Sequence, residues 1–295
     1  MNTKSSPTDA KLLADYLACY GLRDGTVGID EVRRHLDLER RLTQRMLATT
    51  ADDRWSVFEQ CYSTIYAELP WLVDVGSAID DSRWARLIGP PPKRVYEVGS
   101  GHGDLARALA GRGYDVTATD ISHARGGARE TAPRLSWGLT DGIHLTRFAE
   151  PASVHAVISS QVIEHFHPDD VHEHFCGAFA LLRPGGRYVF ATPHAVTGPH
   201  DVSKVVGADR PFGMHLREYD VATLVEIARS AGFGRVRSVA TVPGIPRWTA
   251  ASSLHLRYML AVESRPAMWR PCLRSLMRRL KPPLRPDAWL VAETR

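Results

Sequence analysis

The chain has 295 residues, 44% of them hydrophobic and 24% charged, with a formal net charge of +4. This is the make-up of a globular protein with room for one large α/β domain and additions, and it excludes a disordered or fibrous chain. No apolar run reaches the roughly 18 residues of a membrane span, and Cys19, Cys61, Cys176 and Cys272 are scattered without a Cys-x-x-Cys pair, against a zinc site or a disulfide framework.

The first ten residues are polar and lack a signal-peptide core, so a cytoplasmic location is expected. Helical spacing follows over residues 8–88. Leu12, Leu13, Tyr16 and Leu17 form one stripe. Val32, Leu36 and Leu38 continue toward Leu42, Met46 and Leu47, with Asp30 as the expected cap. Trp55, Phe58, Tyr62, Ile65, Tyr66 and Leu69 form a third stripe that Pro70 ends. Residues 1–89 therefore read as a helical cap, either packed on a domain edge or serving as a lid, and Pro90-Pro91-Pro92 marks its boundary.

From Lys93 to Thr241 strands and helices alternate, the pattern of a parallel sheet covered on both faces. Strands are expected at 94–98, 115–119, 134–137, 156–159, 188–191 and 235–241, with a last one at 288–292. A helix opens at Leu105, a second covers 169–182 with Asp169 as cap, and a third is capped by Asp220 and ends near Gly232. Arg183-Pro184-Gly185-Gly186 reads as a turn between helix and strand.

The first strand runs into Glu97-Val98-Gly99-Ser100-Gly101-His102-Gly103-Asp104, a strand–turn–helix unit whose glycines allow backbone to approach a ligand. Its spacing is not the Gly-x-Gly-x-x-Gly of dinucleotide sites, because the third glycine comes one residue early. Asp104 would also repel a phosphate from the first helical turn. Asp120 closes the second strand 19 residues after Gly101, where an acid can accept from both hydroxyls of a ribose. Asp141-Gly142 follows the third strand, as a ligand contact or as a simple turn. Ser159-Ser160-Gln161-Val162-Ile163-Glu164-His165-Phe166-His167-Pro168 follows the fourth. In open α/β sheets, loops at the carboxyl ends of strands face ligands.

In this order, the glycine turn, Asp120, Asp141-Gly142, Glu164-His165 and Arg183–Gly186 resemble the class I S-adenosylmethionine-dependent methyltransferases over roughly residues 90–241. The resemblance implies a Rossmann-like α/β fold. Its seven-stranded, mostly parallel sheet would have a reversed last strand, an N-terminal helical cap (1–89), a core (90–243) and a C-terminal helical insertion before the last strand (244–295). It implies S-adenosyl-L-methionine as cofactor, held by Glu97, Gly99, Ser100, Gly101, Gly103, Asp120, Ile121, Asp141, Gly142, Ser160 and Gln161. Asp120 would take the ribose, Ile121 would pack on adenine, and Asp141 would accept from the adenine amine. A sulfonium cation suits a turn flanked by Glu97 and Asp104.

The Glu164-His165 loop is similar to that of ubiquinone O-methyltransferases. Some of these bind a divalent ion through Glu-x-x-Glu-His. Gln161 replaces the first acid here and removes a charged oxygen ligand, so no metal is expected. His165 is the expected base toward an acceptor hydroxyl, or else it orders the loop with Glu164. His167, His194, His200 and His215 are further candidates, and residues 197–213 read as an acceptor-side loop.

The expected reaction is O-methylation of a small-molecule acceptor, a secondary metabolite, sugar or lipid-linked compound. The alternatives are N- or C-methylation, RNA methylation, and cofactor binding without catalysis. The loop after the fourth strand lacks the Asn/Asp-Pro-Pro-aromatic arrangement associated with methylating base amines, and Cys176 falls in a helix rather than in a nucleophile's setting. From Gly244 to Arg295 there are ten Lys/Arg against three Asp/Glu. Trp269, Leu273, Leu276, Met277 and Leu280 form a stripe beside Arg270, Arg274, Arg278, Arg279 and Lys281. This reads as a lid helix with a solvated basic face, or as a peripheral lipid or carrier contact. The basic excess lies away from the glycine turn, which argues against nucleic acid.

Overall fold

The computed structural model describes residues 8–73, 80–122, 132–241, 249–265 and 288–294. The chain divides into two compact units, Met1–Ala78 with Gly198–Glu218, and Ile79–Thr197 with Tyr219–Arg295.

The first unit contains α1 (Asp9–Tyr20), α2 (Ile29–Leu47), α3 (Arg54–Glu68), α4 (Pro70–Val73) and a 3-10 turn, Val202–Val206. Leu12, Tyr16, Leu17, Val32 and Leu36 pack with Val202 and Val205, so the first predicted stripe and the start of the second form this cluster, while Leu47 and Trp55, at the ends of the second and third stripes, are exposed. A buried polar chain crosses it: Trp71 donates to the Tyr16 hydroxyl (2.9 Å), which meets His35 Nδ1 (2.7 Å), whose Nε2 meets Glu39 (2.8 Å). Glu39 accepts from the Met214 amide at 3.3 Å, and Thr43 donates to the Gly213 carbonyl. The segment read as an acceptor-side loop thus belongs to the helical unit. One local expectation changes: the N-cap of α2 is Gly28, whose amide the Glu31 carboxylate accepts, with Asp30 inside the first turn. As expected, α3 stops just before Pro70, at Glu68, and Pro70 then opens the short α4, where its missing N–H costs nothing.

The second unit is an eight-stranded sheet ordered β3-β2-β1-β4-β5-β8-β6-β7. Its strands are β1 (Arg94–Val98), β2 (Asp115–Asp120), β3 (Leu135–Leu139), β4 (Val154–Ser160), β5 (Leu182–Thr192), β6 (Arg235–Thr241), β7 (Thr249–Ser252) and β8 (Ala288–Glu293). β1 to β5 pair in parallel, and β8 is reversed between β5 and β6. The expected seven strands with a reversed last one are present, and β7 adds an antiparallel edge to β6.

Alternating residues feed two cores. Tyr96, Val98, Val157, Tyr188 and Phe190 pack under α7 (Val171–Leu181), α8 (Val221–Ser230) and α9 (Ser253–Glu263). Val95, Ala156, Ile158 and Val189 pack under α5 (Asp81–Ile88) and α6 (Asp104–Gly111). α5, grouped in the sequence with the N-terminal cap, sits here because Trp84, Leu87 and Ile88 need that core and Arg187 donates to the Leu87 carbonyl at 2.9 Å.

Arg183–Gly186 is a bulge inside one long strand. Val154 pairs with Leu182 and Ala156 with Arg187, so four residues are looped out and Gly185 takes φ +73°. α7 is preceded by Asp170 rather than Asp169. Asp220 caps α8 as expected, accepting from Thr223 N at 2.9 Å. β7 and α9 were not expected. The predicted basic stripe from Trp269 to Lys281, and Cys272 with it, lies outside the described residues. Among the described residues no helix is long and apolar enough to cross a membrane.

Candidate active site

The sheet order reverses between β1 and β4, and the loops after β1 to β4 all leave at the carboxyl edge beside that point. The predicted cofactor residues Glu97, Gly99, Ser100, Gly101, Gly103, Asp120, Ile121, Asp141, Gly142, Ser160 and Gln161 occupy these four strand ends.

Gly99, Gly101 and Gly103 have φ of +70°, +54° and +78°. Only glycine takes three such angles in five residues without strain. A Cβ on Gly99 would come 2.4 Å from Val162, and one on Gly103 would come 2.0 Å from Trp137. The glycines therefore also let the β3 and β4 elements close on the turn. Asp120 ties turn and strand together: Oδ2 accepts from Gly101 N (2.7 Å) and Oδ1 from Ile121 N (2.8 Å). Each oxygen keeps a lone pair for a further donor.

Glu97 is 3% exposed, and its Oε2, with Ser100 Oγ and His102 Nε2, is buried with no hydrogen-bond partner among the described residues. Burial, then the carboxylates of Asp120 and Asp104, push the Glu97 carboxyl up to about 8, against a smaller opposing effect of Arg107. Such a site is short of positive charge and of hydrogen-bond donors, and a cationic, donor-rich ligand supplies both. Asp104 itself is exposed and paired with Arg107 at 2.6 Å, so the first turn is less anionic than the sequence suggested.

At the β3 end, Asp141 Oδ1 accepts from the amides of Ile143 and His144 (2.8 Å each), and Oδ2 meets His144 Nδ1 at 2.6 Å. The pair is a turn, and Oδ2 retains capacity for one more donor. Gly142, at φ +73°, has no room for a Cβ, which would meet Phe166 at 2.7 Å. Its carbonyl is held by His174, a residue that no motif or spacing in the sequence singles out.

At the β4 end, Gln161 is exposed with φ +57°, a strained angle for a non-glycine residue, and its amide is held by Ala191 O at 2.8 Å. Glu164 is fully buried and accepts from the Thr192 hydroxyl at 2.9 Å. His165 has a 26% exposed side chain with Nε2 4.0 Å from Glu164 Oε1, outside hydrogen-bond range. The other histidines separate. His167 is buried against Asp169. His194, proposed as an acceptor-side candidate, is 1% exposed and bonded to Glu263 at 2.5 Å. Glu263 also accepts from Val221 N and Ala222 N, so His194 anchors the start of α8. In the helical unit, Glu218 takes His200 Nδ1 (3.1 Å) and His215 Nδ1 (2.9 Å). Burial raises the Glu218 carboxyl, but these two rings outweigh it and bring it to about 2.

Residues 77–238, more than half of the chain, match the family model described as a methyltransferase domain, and the chain belongs to that family. It is 33% identical over 148 residues to a probable S-adenosylmethionine-dependent methyltransferase of Mycolicibacterium smegmatis, covering 47% of this chain and 51% of that protein. The chain thus spans about half the length of that relative. It is 27% identical over 215 residues to the ubiquinone biosynthesis O-methyltransferase of Psychrobacter arcticus, covering 66% of this chain and 82% of that one. Among solved structures, the Burkholderia thailandensis 1,6-didemethyltoxoflavin-N1-methyltransferase superposes with a TM-score of 0.52 at 17% identity, covering 83% of this chain and 91% of that one. That likeness speaks for the fold. The chain therefore carries a methyltransferase domain, and the glycine turn, Asp120 and the buried Glu97 Oε2, which lacks a partner among the described residues, fit S-adenosylmethionine, the donor in the name of the Mycolicibacterium smegmatis relative.

Proposed function

We propose that this methyltransferase acts on an oxygen of a small-molecule acceptor, with His165 taking the acceptor's proton. The observation that carries the reading is the β4 loop, where a part-exposed imidazole sits beside a buried carboxylate fixed by Thr192. The similarity to the ubiquinone O-methyltransferase of Psychrobacter arcticus supports oxygen as the target.

When bound, S-adenosylmethionine supplies a methyl group already activated by a positively charged sulfur. The chain's own residues then have three tasks. Asp120 and the glycine turn orient the nucleoside end. Glu97, buried with an unused oxygen, takes a donor from the ligand. His165 withdraws a proton from the hydroxyl. Alignment supplies most of the rate in a displacement of this kind, and a positioned base adds about 10²–10⁴-fold.

The test is incubation of the pure protein with methyl-labelled donor and fractionated small-molecule extracts, followed by mass spectrometry of the labelled product. Label on oxygen is expected. Label on nitrogen, carbon or RNA overturns the assignment of the acceptor, and no transfer to any fraction, despite tight donor binding, overturns catalysis.

A further inference from the structure

A chain of buried hydrogen bonds runs beneath the candidate site. His174, on α7, is fully buried. Its Nδ1 lies 2.5 Å from the Gly142 carbonyl, and its Nε2 lies 2.6 Å from the Tyr188 hydroxyl. Tyr188 Oη in turn lies 2.7 Å from Ser159 Oγ, on β4. The proton order follows from chemistry. A carbonyl only accepts, so Nδ1 carries the hydrogen. Burial holds the ring neutral, its pKa lowered to about 4 although the bond to Gly142 opposes this, so Nε2 accepts from Tyr188. Tyr188 then accepts from Ser159.

Such a chain is a poor way to stabilise a core, since apolar side chains of the same volume serve as well or better. What it specifies is position. The His174 ring packs on Phe166 with centroids 4.6 Å apart, and Phe166 fills the space beside the Gly142 Cα. Gly142 is therefore held at its carbonyl by one ring and at its α-carbon by the other. Asp141 is welded to the same turn through the amides of Ile143 and His144. Any shift of the Gly142 carbonyl moves the Asp141 carboxylate with it.

We infer that His174 is a positioning residue for adenine recognition: through the Gly142 carbonyl it sets where the Asp141 carboxylate meets the exocyclic amine of the donor. The inference rests on the assignment of the Asp141–Gly142 turn to adenine. Tyr188 and Ser159 fix the ring's tautomer from behind and couple the turn to β4.

The experiment is calorimetric titration of the full chain with S-adenosylhomocysteine and with S-inosylhomocysteine, in which an oxo group replaces the amine. Wild type prefers the adenosyl compound. In His174→Phe, which keeps a ring and loses both bonds, adenosyl affinity falls about tenfold and the preference shrinks toward unity. His174→Asn, whose amide restores a donor toward Gly142, recovers most of the preference. In turnover assays the donor KM of His174→Phe rises more than its kcat falls. Tyr188→Phe covers the case of a misfolded His174→Phe. It removes one hydroxyl from an intact core and weakens the preference in the same direction. Variants that fold and keep the wild-type preference overturn the inference. A wild type that binds the two compounds equally overturns the assignment of Asp141 to adenine, and one that binds neither overturns the donor site itself.

Discussion

Gly103 and Trp137 touch so closely that a methyl group on the glycine would lie 2.0 Å from the ring's Cη2. The turn at the end of β1 is therefore locked to β3 by a missing side chain as much as by hydrogen bonds. Gly103→Ala meets two costs, about 1–2 kcal/mol for a left-handed L-residue and about 1–3 kcal/mol for overpacking. Gly113→Ala is the control. Its φ is +95°, but the nearest atom outside its own neighbours lies 3.7 Å away, on Pro91. Thermal unfolding should show Gly103→Ala melting several degrees below Gly113→Ala, and only Gly103→Ala should lose donor affinity. Equal melting points would mean that Trp137 simply moves aside.

Glu97 predicts a pH dependence of stability. Its carboxyl is raised from an ordinary 4.5 to about 8, so between those values the folded chain binds a proton that the unfolded chain has released. Stability from this group is full below pH 4.5 and declines as pH rises through about 8, with a slope of up to ~1.4 kcal/mol per pH unit. Glu97→Gln is neutral at every pH and should flatten that slope. Denaturant midpoints for the two proteins from pH 5 to 8 decide it. Parallel curves would show that Glu97 is ionised in the fold.

Much of this arrangement is readable from residue order, and the unreadable parts share a cause. β1 and β4 show as largely apolar runs with Glu97 near the end of the first and Ser159-Ser160 closing the second, and β2 shows by Val116 and Ala118 before Asp120, because buried parallel strands need apolar residues and their ligand-facing ends need polar ones. The Arg183–Gly186 turn was legible from Pro184 and Gly185, but its place within one strand depends on pairing with Val154 and Ala156 on another element. The assignment of residues 198–218 to the helical unit rests on Thr43 and Glu39 meeting Gly213 and Met214 some 170 positions away, for which no local pattern exists. His174 was invisible for the same reason. Its meaning lies in Gly142, 32 residues upstream and on another loop.

Asp120 separates a ligand role from a structural one. Its two oxygens accept from Gly101 N and Ile121 N, so Asp120→Asn loses one of these acceptors and its negative charge while keeping its volume. Bonds to a charged group are worth about 1.5–3 kcal/mol each. Affinity for S-adenosylhomocysteine should fall about 10–100-fold by calorimetry. Separate titrations of wild type and variant with adenosine and with adenine then distinguish the two roles. If Asp120 only braces the turn, adenosine and a ribose-less adenine should lose affinity equally in the variant. If it receives the ribose, adenine binding should change little.

His165 and Glu164 set the sharpest test of the chemistry. Glu164 is fully buried with Thr192 on one oxygen, while His165 is part exposed and 4.0 Å from the other. At this distance the buried carboxylate can stabilise the imidazolium once the proton has moved. His165→Ala should therefore lower kcat with a hydroxyl acceptor by about 10²–10⁴-fold, leave donor affinity near wild type, and recover activity when imidazole is added. Glu164→Gln keeps the bond from Thr192 and removes only the charge, so its loss should be smaller and should not respond to imidazole. With a neutral amine acceptor, nucleophilic enough to attack before it loses a proton, neither substitution should matter much. A His165→Ala enzyme that turns over a hydroxyl acceptor at the wild-type rate would move the proton's destination elsewhere and leave His165 as a residue that orders its loop.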